Sequence, residues 1–102
     1  MKNNLSWPFQ DDPGTPCVTT KSVTSRQKPI LYVSRETDED GELTWQFHCA
    51  EEFRMENAQL VRLDTIFATD ASVGELGDLP LGYEARRTSP DGRWMRNKQE
   101  TV

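Results

Sequence analysis

Apolar residues in this chain gather in runs set apart by polar stretches. Pro29 is followed by the continuous run Ile30-Leu31-Tyr32-Val33, which predicts a strand through Arg35 covered on both faces, as inside a sheet. Leu43 to Cys49 alternates instead: Leu43, Trp45, Phe47 and Cys49 fall on one face, and Thr44, Gln46 and His48 on the other. Between the two lies Thr37-Asp38-Glu39-Asp40-Gly41-Glu42, a turn sequence in which Gly41 can take a positive φ. Together they predict a β-hairpin.

Ala58 to Leu63 reads as a further strand, after an acidic and irregular stretch over 50–58. Leu63, Ile66 and Phe67 then fall at helical spacing, with Asp64 as the expected N-cap of a short helix. Asp70 offers a second N-cap, and Ser72 with Glu75 has capping-box spacing. Val73 and Leu76 form the apolar face of that second helix, Gly77 suits its C-terminal cap, and Pro80 lies just beyond. Gly82 to Thr88 predicts a strand with Tyr83, Ala85 and Arg87 on one face. Ser89-Pro90-Asp91-Gly92 has the composition of a type I turn, returning through Arg93-Trp94-Met95-Arg96. Cys17 to Thr20 is a short β-prone run, and Ser22 to Lys28 is polar and turn-like.

The resulting expectation is an α+β domain. It has a mostly antiparallel sheet of about five strands, with two short helices between strands three and four. Residues 1–16 hold Pro8, Pro13 and Pro16, which forbid regular helix, so they form an extended arm pinned by Trp7 and Phe9. Residues 17–96 form the single domain, and 97–102 a frayed polar tail.

Charge refines this picture. Residues 1–29 carry four Lys/Arg against two Asp, residues 30–81 three Arg against twelve Asp/Glu, and residues 82–102 five Lys/Arg against three Asp/Glu. An acidic middle repels phosphate backbones and disfavours nucleic acid as a partner. It reads either as a solvated face that aids solubility or as a patch that steers a basic protein. The carboxylates available for steering are Glu36, Asp38, Glu39, Asp40 and Glu42 at the hairpin tip, with Glu51 and Glu52 beyond the second strand. No run is long enough to span a bilayer, and the start has no apolar stretch of the secretory kind. A cytoplasmic setting with Cys17 and Cys49 reduced is the expectation.

Catalytic patterns are not found. His48 and Cys49 are adjacent on a strand and so point to opposite faces, whereas a nucleophilic thiol needs its base within hydrogen-bond reach. Two cysteines and one histidine do not make a zinc set. Glu36-x-Asp38-x-Asp40-Gly41 imitates the start of a calcium loop but meets Phe47 where the closing Glu belongs. No glycine-rich phosphate loop is present. No cofactor, metal or catalytic residue is therefore expected. Arg86, Arg87, Arg93 and Arg96 around Trp94 form a basic hairpin, a nucleic-acid or anion site or a partner for the chain's own acidic middle, and the last is preferred. Trp45, Phe47 and Trp94 read as core or, if exposed, as interface anchors.

One group of residues carries a family resemblance. It comprises Cys17-Val18-Thr19-Thr20-Lys21-Ser22-Val23, Pro29 to Val33, Trp45-Gln46-Phe47 and Leu60-Val61-Arg62-Leu63 with Ile66 and Asp70. Asp78-Leu79-Pro80-Leu81-Gly82-Tyr83-Glu84-Ala85-Arg86-Arg87 with Trp94 completes it. Over 17–96 this resembles the small domains of unknown function grouped with the immunity protein 33 family of bacterial polymorphic-toxin systems. The glycine usual after the Trp-x-Phe strand is replaced here by Cys49-Ala50. The resemblance implies a cytoplasmic α+β domain that binds and silences a toxin, and supplies no catalytic residues. The expected function is thus non-enzymatic binding of another protein. The alternative is a small ligand-binding domain or enzyme with a pocket near Cys49, His48 and Trp45.

Overall fold

The computed structural model describes residues 7–37, 39–49 and 54–99. Asp38, Glu51 and Glu52 lie outside them. Six strands form one sheet: β1 (Pro16–Thr20), β2 (Tyr32–Thr37), β3 (Leu43–His48), β4 (Ala58–Arg62), β5 (Tyr83–Arg86) and β6 (Met95–Lys98). Their order is β4-β1-β3-β2-β5-β6. Every neighbouring pair is antiparallel except β1 and β3, which run parallel with Cys17 opposite Trp45. Short helices complete the α+β fold: α1 (Lys21–Thr24), α2 (Leu63–Thr69) and two 3-10 segments, Met55–Asn57 and Ala71–Leu76. Among the described residues no helix is long and apolar enough to cross a membrane.

The alternation over Leu43–Cys49 decides which face is core. Trp45 and Phe47 are fully buried, and register places them beside Cys17, Val33 and Ala85 on the same face. Leu63 and Ile66 of α2 and Val73 and Leu76 of the second 3-10 segment belong to this one core. The N-terminal arm closes it. Phe9 packs edge-on against Trp45 and Phe67, with Trp7 beside it. The Asp11 carboxylate accepts a 2.7 Å hydrogen bond from Trp45 Nε1. Gly77 does follow the second 3-10 segment, but its φ of −58° needs no glycine. Its reason is the arm, since a Cβ there would overlap the Pro8 carbonyl.

Several local expectations change in the folded chain. Cys17–Thr20 is an interior strand, inserted between β3 and β4. Ser22–Lys28 is not wholly turn: α1 forms there, is capped by Ser25, and is followed by Arg26, which takes the left-handed φ of 64°. Asp64 does not cap α2, because Arg62 holds the N-cap position and the Leu63 and Asp64 amides go to Thr15 and Pro13 carbonyls. Ser72 likewise sits inside the 3-10 segment capped by Asp70. Asn97 and Lys98, placed in the tail from sequence, pair in β6.

Arg87 ties these parts together. Its side chain is 1 % exposed. Nε and Nη2 donate to the Ile30 carbonyl at 3.0 and 2.9 Å, Nη1 to Ser72 Oγ at 2.9 Å, and Nη2 to Asp70 Oδ2 at 2.8 Å. The guanidinium lies 4.1 Å from the centre of the Trp94 ring. Asp70 also accepts from the Ser72 amide as a helix N-cap. Asp70→Ala therefore removes a cap and leaves a buried guanidinium without its counter-charge. The expected loss is about 3 kcal/mol of unfolding free energy in urea titration. Asp70→Ala/Arg87→Met should recover part of it.

Candidate functional site

The sheet face opposite the core carries a lattice of polar side chains. Ser34, Gln46 and Glu84 form one row across β2, β3 and β5, and Tyr32, His48 and Arg86 form the next. Ser34 Oγ donates to Glu36 Oε2 at 2.6 Å, and Gln46 Nε2 donates to the same oxygen at 3.4 Å. His48 Nε2 lies 2.9 Å from Gln46 Oε1, and its ring stacks on Tyr32 with centroids 6.0 Å apart. Tyr32 Oη donates to Glu84 Oε1 at 3.3 Å, Arg86 Nε donates to Glu84 Oε2 at 3.0 Å, and the Arg86 guanidinium rests over the Tyr32 ring. Burial, helped by the Glu84 charge, raises the Tyr32 phenol above its usual range. Burial lowers His48 below its ordinary 6.5, only partly offset by Glu36. None of the rotamer choices in this lattice was legible in the alternation pattern, though the facing of Gln46 and His48 was.

The residues of the expected pocket do not converge. Trp45 and Cys49 are buried on the core side, whereas His48 lies on the polar face. None of the described cavities is lined by any of the three. Both thiols are free and buried. Burial, with the nearby charges of Asp11 and Asp64, pushes Cys17 up to about 12. Cys49 Sγ has Ser22 Oγ at 3.8 Å as a neighbour. Cys17 thus stays a thiol at neutral pH, and His48 faces away from Cys49. Among the described residues no group of three His, Cys, Asp or Glu side chains could hold a metal ion.

The acidic candidates divide. Glu36 is not at the hairpin tip but within β2, half-buried and engaged with Ser34 and Gln46. Glu39, Asp40 and Glu42 are exposed at the turn, where Gly41 has the expected positive φ of 82°. Register places this turn at the same end of the sheet as Asp12 and Asp64, since Cys17 is opposite both Trp45 and Val61. The other end carries Lys21, Arg26 and Lys28 after β1, Arg54 before β4, and Arg86 at the end of β5. Charge thus leans along the strand axis, with Arg62 and Lys98 as exceptions at the acidic end and Glu56 beside Arg54 at the basic end. Three arginines of the basic hairpin pair within the chain: Arg86 with Glu84, Arg87 with Asp70 and Arg96 with Asp78. That pairing accounts for most of the hairpin's charge and depresses the exposed Asp78 carboxyl through its hydrogen bond with Arg96.

Beside the polar lattice lies an apolar margin that the sequence reading did not single out. Met55 and Leu60 are 78 % and 73 % exposed. With Val18, Gln46, Ala58 and Gln59 they line an open depression of about 380 Å³. From sequence, Leu60 falls in a strand and among the residues of the resemblance, and the signal for its exposure is its place on the face opposite Val61.

No family model, curated protein or solved structure matches this chain.

Two measurements check the site. Both thiols should resist alkylation in the native protein at neutral pH and react fully once unfolded in urea. Because the folded-state pKa of His48 is depressed, the unfolded chain binds its proton more readily. The stability it contributes should therefore be complete above about pH 7.5 and fall as pH drops below 6.5. Urea midpoints across that window should show the slope, and His48→Gln should flatten it.

Proposed function

We propose that this chain is a non-enzymatic protein-binding domain that docks a basic partner through the acidic end of its sheet. The observation that carries this reading is the sheet's one-sidedness. α2, the second 3-10 segment and the arm all pack on one face, and among the described residues no helix covers the other, a hydrogen-bonded polar set with Ser34 and His48 buried within it. A surface whose rotamers are already set loses little entropy on docking. Glu39, Asp40 and Glu42 stand exposed at its margin, where they can steer a positively charged protein. The immunity-protein resemblance fits this reading: a small acidic domain that binds a toxin by surface complementarity needs no reacting groups. The placement of the thiols disfavours the enzyme alternative: Cys17 and Cys49 face the core, and His48 faces the other side of the sheet.

The test is affinity capture from lysate of the source organism with the wild-type chain and with the Glu39→Lys/Asp40→Lys/Glu42→Lys variant, followed by binding kinetics with the purified captured protein. A stoichiometric basic partner should associate about ten-fold more slowly with the variant at low salt, and the salt dependence of the rate should flatten. A partner bound at the same rate by both proteins refutes the acidic end as its docking site.

A further inference from the structure

We draw no further inference here: the strongest candidate, the open apolar depression between Val18, Met55 and Leu60 at the β4 margin of the sheet face opposite the core, carries nothing because nothing in the structure shows what covers it.

Discussion

The buried guanidinium of Arg87 is the constraint from which much of the structure follows. It emerges directly after β5, yet four of its five donors are spent on the Ile30 carbonyl before β2, on Ser72 and on the Asp70 carboxylate that starts the second 3-10 segment. One planar group thereby fixes the distance between the sheet and the helical layer. A buried ion pair is often no more stabilising than an apolar replacement of the same shape. What this one enforces is geometry. An apolar side chain at position 87 could pack in several ways, but a guanidinium with these acceptors has one satisfactory position, and Trp94 closes over its face. The turn after β5 and the return into β6 are consequences of that placement.

Core formation then makes the sheet one-sided. Trp45 and Phe47 draw α2, the second 3-10 segment and the arm to the same face. Pro8 lies so close to Gly77 that only a residue without a Cβ fits beneath it, so the arm is part of the core rather than an appendage. The remaining face is settled by polar contacts among its own side chains. Ser34 is fully buried and His48 nearly so, although no described helix covers them. Each residue of that face is held by the next, from Glu36 through Gln46 to His48 and from Tyr32 through Glu84 to Arg86. A polar face held in this way presents its donors and acceptors in fixed positions.

Much of the fold was legible because it depends on local period. The alternation through Trp45 and Phe47, the hairpin around Gly41, the Asp70 cap and the turn closed by the Gly92 amide on the Ser89 carbonyl are all short-range features. What was not legible is long-range. Nothing in Cys17–Thr20 says that it inserts between β3 and β4, one partner parallel and the other antiparallel. Asp64 has the chemistry of an N-cap, but Thr15 and Pro13 had already taken the amides of that turn. Arg87 looked like one of four arginines on a basic hairpin, since residue type alone does not reveal which charge will be buried. Glu36 was grouped with the hairpin tip although the strand continues through it to Thr37.

The same distinction governs charge. Along the chain the acidic residues form a central block with basic residues on either side. In space the block is divided and leans along the strand direction. The β2–β3 turn carries its carboxylates to the end where β1 starts and β4 finishes, while the cations that follow β1 collect at the other end. A net charge of −5 therefore understates the electrostatic character of the molecule, which has a polarity along its strands. Polarity of that kind acts on orientation before it acts on affinity. A field of that kind turns a charged molecule before contact and discriminates between approaches to the two ends of the sheet. Strand direction, set by backbone pairing, is thus what converts an ordinary acidic composition into a directional surface.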